Sequence, residues 1–121
     1  MQSYAMNMDD KYGQLNVIDI PAEVAANTKE WFNQTLTTVN DSVVRLGILH
    51  GEFHWHKHDL DDEFFLVLDG TLFIDVEGRD SVALGPQQGY TVPRGVVHRT
   101  RAPERAVIVM VERAGVVPTG D

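Results

Sequence analysis

From Thr35 to Glu112 the hydrophobic positions follow a short period. Runs of β-branched and aromatic residues are broken every few positions by turn residues, with no helical interlude. This pattern predicts strands near 35–39, 43–50, 52–58, 63–68, 71–77, 80–84, 88–92, 96–101 and 105–112. The breaks between them are Asn40-Asp41, Asp69-Gly70, Glu77-Gly78, Gly85-Pro86, Pro93-Arg94-Gly95 and Pro103. So many short strands in succession imply an antiparallel sandwich or barrel. Upstream the pattern is weaker. Met1 to Gly13 has no periodicity and reads as a loose arm, Leu15 to Ile20 alternates like a strand, and Ala22 to Trp31 carries helix formers behind Pro21. The chain therefore divides into an N-terminal arm and covering segment (1–34), a β-barrel (35–113) and a C-terminal tail (114–121).

One strand departs from simple alternation. Phe64 to Leu68 is apolar on both faces, which a sheet with one wet side does not require. Its outer side needs a cover, from the N-terminal segment, a second sheet or another copy of the chain. With Phe53, Trp55 and Phe73 nearby, the expectation is a homodimer.

Composition narrows the partners. The 121 residues suit one domain, and 43% hydrophobic and 23% charged residues are ordinary for a globular chain. A net charge of −8 with scattered basic residues argues against binding a nucleic-acid backbone or an anionic membrane surface. No apolar run approaches the roughly 20 residues that span a bilayer, and Met1 to Asp10 lacks the basic head and apolar core of a signal peptide. The expected location is the cytoplasm. Since there is no cysteine, any metal must be held by His, Asp or Glu.

Three of the five histidines, His54, His56 and His58, occupy alternate positions, and Glu63 follows after an acidic turn. On a strand, positions i and i+2 share a face, so His56 and His58 can aim at one point, with Glu63 returning on the next strand. Two imidazoles and a carboxylate so placed make a metal-site geometry. Further on, Pro93-Arg94-Gly95 forces a tight turn and His98 opens the next strand, pointing inward if that strand lies beside His56. Three imidazoles and a carboxylate suit Fe(II), Mn(II), Ni(II), Cu(II) or Zn(II) better than Ca(II) or Mg(II).

The two stretches together resemble a known family. His56-Lys57-His58, four residues, Glu63, six residues and Gly70 match the first motif of the cupins, and Pro93-Arg94-Gly95-Val96-Val97-His98 matches the second, Pro-x-Gly-x-x-His. The small single-domain cupins of the mannose-6-phosphate-isomerase-like, RmlC-like group are the most similar. Two positions depart from the pattern: Gly51 stands one residue closer to His-x-His than usual, and Ala102 replaces a frequent Asn. The resemblance implies an all-β double-stranded β-helix, the jelly-roll or cupin barrel, with a short N-terminal extension. It also implies one divalent transition metal held by His56, His58, Glu63 and His98.

The function expected is that of a divalent-metal-binding monocupin. It would be a small metal-dependent enzyme of isomerase or dioxygenase type acting on a small organic or sugar-derived molecule, or else a non-catalytic module that binds or senses a small ligand. His54, by its parity, and Tyr90, ahead of the second motif, are candidates for contact with the cavity or substrate. His50 reads as an ordinary surface histidine, and Asp59, Asp61 and Asp62 as a solvated turn. Arg45, Arg94, Arg99 and Arg101 are the residues available to hold an anionic substrate, with Arg99 and Arg101 placed on the outer face by their alternation from His98.

Overall fold

The computed structural model describes residues 4–121. Its elements are β1 (Ala5–Asn7), α1 (Ile20–Ala25), β2 (Phe32–Val39), β3 (Ser42–Glu52), β4 (Glu63–Asp69), β5 (Leu72–Val76), β6 (Val82–Leu84), β7 (Gly89–Val92) and β8 (His98–Arg113). The strands run in the order β1-β2-β3-β8-β4-β7, with β5 joining β8 and carrying β6 on its far edge. All pairings but β1–β2 are antiparallel. The sheet closes on itself as a jelly-roll barrel.

β8 organises the barrel. Along one edge it pairs with β3 over most of its length; along the other it pairs first with β5, through His98 to Arg101, and then with β4, through Val107 to Val111. The two strands expected at 96–101 and 105–112 are thus a single strand. Pro103 sits where the β3 ladder jumps from Gly51–Ala102 to Leu49–Ala106, a bulge whose residues need no ladder hydrogen bond, so proline is tolerated there.

Parity sets the interior. Glu63, Phe65 and Val67 of β4 are buried, as are Ala106, Ile108, Met110 and Glu112 of β8, while Phe64 and Leu66 are half-buried and Leu68 is exposed. The main core gathers Trp31, Leu49, Phe53, Phe65, Ile74 and Ile108 with their neighbours inside the barrel. A second cluster, Leu36, Leu46, Ile48 and Val107, lies on the opposite face of β2, β3 and β8. Tyr12, Ile18, Ile20 and Val24 cover it, so the N-terminal segment shields that face rather than the outer side of β4.

The N-terminal expectations need correction. Ala5 to Asn7 pairs in parallel with Phe32 to Gln34, so these residues of the expected arm are part of the sheet; residues 1–3 lie outside the described residues. Leu15 to Ile20 is not a strand. Leu15 has φ +60° and is fully exposed, Asn16 donates to the carbonyls of Tyr12 and Gln14, and Asp19 accepts from the Ala22 amide as the N-cap of α1. The local hydrogen bonds of Asn and Asp outweigh a short apolar alternation.

Candidate metal centre

β3 ends at Glu52, and the stretch expected as a strand at 52–58 continues beside β8 as irregular backbone. The Phe53 amide donates to the Thr100 carbonyl, and His56 and His98 exchange both backbone hydrogen bonds at 2.9 Å. Three residues on this segment therefore span what two span on β8. The extra residue breaks the alternation between His54 and His56. His54 turns outward, its Nε2 2.8 Å from the Thr119 carbonyl oxygen. Its backbone carbonyl, not its ring, serves the site.

His56, His58, Glu63 and His98 come together, each offering a donor atom within 4.8 Å of the others. The paired backbones of His56 and His98 bring their rings to 4.4 Å. The Gly95 turn of the second motif donates its amide to the His58 carbonyl at 2.7 Å, which ties the two motifs together. Glu63, first residue of β4, places its Oε1 3.2 Å from His98 Nε2 and 3.5 Å from His58 Nε2. All but half-buried His56 are buried.

The ring nitrogens that face away settle which ones face in. His56 Nδ1 donates to the His54 carbonyl (3.0 Å), His98 Nδ1 to the Val96 carbonyl (2.9 Å) and His58 Nδ1 to Asp121 Oδ1 (2.7 Å). Each outward bond takes up the Nδ1 proton, so in the neutral ring Nε2 is the lone pair, and only a second proton, shared with Glu63, makes it a donor. Three lone pairs and a carboxylate then face one another in a water-poor interior, and His58 Nε2 is buried without a hydrogen-bond partner. Acceptors so opposed need a proton or a cation between them. The donor set therefore fits a divalent transition metal.

The proton affinities show the same conflict. Burial pushes the His56 imidazole down to about 4. Burial acts on His58 likewise, but Glu63 and the Asp121 hydrogen bond outweigh it and carry it up to about 9. Burial raises Glu63, yet the adjoining His58 and His98 rings outweigh it and bring it well below the usual carboxylate range. Behind it, burial and the adjoining Glu63 raise Glu112. Glu112 is also paired with the buried Arg45, which reaches Thr35 Oγ1 and the Val116 carbonyl as well.

A narrow, partly open cavity lies beside His56 and Glu63. Its walls are mostly apolar, including Leu49, Phe53, Phe65, Ile108 and Met110, with Trp31, Asn33 and Thr100 adding polar groups and Pro118 of the tail at one side. Tyr90 is not among the lining residues; it packs half-buried against the core opposite Phe65. Nor does any of the four arginines line it: Arg45 is held by Glu112, and Arg99 and Arg101 both hold Asp75 at 2.8 Å.

Residues that motif reading passed over complete the surroundings. The tail folds back so that Asp121 meets His58 and donates its amide to the Lys57 carbonyl. Gly120 passes so close that a Cβ there would lie 3.1 Å from His56 Cβ, at φ +116°. Asp121, Trp31 and Asn33 are remote in sequence from both motifs; Trp31 closes the stretch of helix formers and Asn33 precedes the strand expected at 35–39, so neither is marked as inward-facing by the pattern.

Comparison with known proteins agrees with the fold. The family model described as "Cupin domain" matches residues 43–112. An uncharacterised protein of Bacillus subtilis (strain 168), YdbB, is 41% identical over 80 residues, covering 66% of this chain and 71% of that protein. A cupin-2 domain containing protein from Shewanella frigidimarina NCIMB 400 superposes with a TM-score of 0.75 at 31% identity, over 80% of this chain and 94% of that one. An RmlC-like cupin from the same organism gives 0.61 at 19% identity, over 69% and 75%.

Proposed function

The chain belongs to the cupin domain family, and from that premise we propose that His56, His58, Glu63 and His98 hold one divalent transition metal at which a small organic molecule binds and is turned over. The observation that carries this reading is the tying-off of all three Nδ1 atoms, which leaves three Nε2 lone pairs and a carboxylate aimed at one another. A metal there supplies a Lewis acid for an oxygen-bearing group, or a redox centre for dioxygen. The chain contributes the rest: His56 and Glu63 face the cavity, and the apolar walls exclude water and raise the strength of every charge interaction within.

Of the two reaction types the family resemblance implies, oxidation with dioxygen is better supported than isomerisation. Moving a proton between carbons calls for a base free of other duties. Among the described residues, the ordinary acid–base side chains lining the cavity are His56 and Glu63, both assigned here to the metal. The same observation favours a second reading, a module that holds its ligand through the metal without turnover.

The test is elemental analysis of protein purified without a chelating tag, beside the double variant His56→Ala/His58→Ala and the variant His98→Ala. One equivalent of Fe, Mn, Ni, Cu or Zn, lost in both variants, is expected. Full metal content in the double variant overturns the site. Dioxygen uptake by iron-loaded protein in the presence of small hydroxylated acids then separates oxidation from simple binding.

A further inference from the structure

Two buried polar atoms of cavity-lining residues have no hydrogen-bond partner among the described residues. Trp31 is 3% exposed and Asn33 5%, and both line the cavity, two residues apart on the inward face where β2 begins. Trp31 Nε1, a donor, and Asn33 Oδ1, an acceptor, are buried without hydrogen bonds. A buried polar group left without a hydrogen bond destabilises the fold. A Leu or Phe at either place would remove that cost, so the pair is an expensive way to build a wall.

The cavity also constrains charge. Among the described residues, no Lys or Arg lines it. A dipositive ion less the Glu63 charge leaves one positive charge at the metal, enough for one anionic oxygen. A second anionic group, such as a phosphate, would be buried unpaired against Leu49, Phe53 and Ile108.

We propose that Trp31 and Asn33 form the polar end of the substrate site and select a small, phosphate-free molecule with a metal-binding oxygen at one end, an apolar middle and a hydroxyl at the other. The hydroxyl accepts a hydrogen bond from Trp31 Nε1 and donates one to Asn33 Oδ1. Only a group that both donates and accepts satisfies the two atoms at once, which distinguishes a hydroxyl from a carbonyl or an ammonium. This inference rests on the metal reading above, and its test separates the two.

The probes are pentanoate, its 3-, 4- and 5-hydroxy derivatives, and 4-phosphonobutanoate, titrated calorimetrically into nickel-loaded protein. At least one hydroxy acid should bind about tenfold more tightly than pentanoate, the increment expected of two hydrogen bonds to buried neutral groups, and 4-phosphonobutanoate more weakly than either. In Asn33→Leu and in Trp31→Phe the ratio of hydroxy-acid to pentanoate affinity should fall to about one. Equal affinity across the series, a preference retained in both variants, or tightest binding of the phosphonate overturns the proposal. A second readout needs no metal: Asn33→Leu should melt no lower than the unaltered apo-protein, because it removes an unpaired group, and a lowered melting temperature overturns the proposal. Failure of the unaltered protein to take up nickel overturns the metal reading and this inference with it. Uptake without discrimination overturns this inference alone.

Discussion

At the scale of single residues, the side chain that bears most directly on the proposed centre from outside the motifs is Asp121. Its carboxylate receives the His58 Nδ1 proton and so presents Nε2 to the other donors. Outer partners of this kind govern metal affinity by roughly 10–100-fold. Asp121→Ala should weaken nickel or zinc binding by about that factor, and Asp121→Asn by less, since an amide oxygen still accepts; competition against a chromophoric chelator measures both. A different acid, Asp75, works far from the centre. Arg101 first, with Ser81 and Arg99, holds it well below the usual carboxylate range. A depressed pKa contributes stability above the unfolded value near 4 that is lost as pH falls. Asp75→Asn should therefore lower the melting temperature at pH 7, while the gap to the unaltered protein narrows by pH 2.5. The convergence of His56, His58, Glu63 and His98 was legible because His-x-His, Glu and Pro-x-Gly-x-x-His keep their spacing along the chain. Asp121, Trp31 and Asn33 were not, since they reach the site only through tertiary packing. His54 shows the converse failure: one extra residue between Phe53 and His56 undoes an alternation that the sequence displays openly.

At the scale of elements, turns and bulges decide more than strand interiors. Most strand cores lay where β-branched and aromatic runs predicted them, β4 and β7 nearly to the residue. The errors fell at punctuation. Pro103 reads as a boundary but occupies a bulge within β8, and Leu15 to Ile20 alternates yet yields to Asn16 and Asp19. The hairpin between β4 and β5 shows what such a position demands. Gly70 has φ +80°, and a Cβ there would lie 2.7 Å from the Arg105 carbonyl oxygen and 3.0 Å from Ala106 Cα. Backbone strain and a backbone clash combine, so Gly70→Ala should cost roughly 1–3 kcal/mol, read as a lower urea midpoint with an unchanged slope.

At the scale of the whole molecule, a ligand that binds only the folded chain stabilises all of it. Metal at a hundredfold excess over its dissociation constant adds about 2.7 kcal/mol. The melting temperature should climb with added nickel or zinc, return on addition of a chelator, and stay flat in His56→Ala/His58→Ala. A barrel was legible from strand density alone; its closure was not, because nothing local records that one strand serves three neighbours. β8 pairs with β3, β4 and β5, and follows all of them in the chain. A ribosome making this protein therefore releases β3, β4 and β5 before the partner they share exists. Until His98 and the residues after it emerge, the earlier motif has neither its fourth donor nor the backbone that pins His56. The nascent chain has no finished centre with which to capture an ion, so on the proposed reading a metal would be taken up only after β8 has been made.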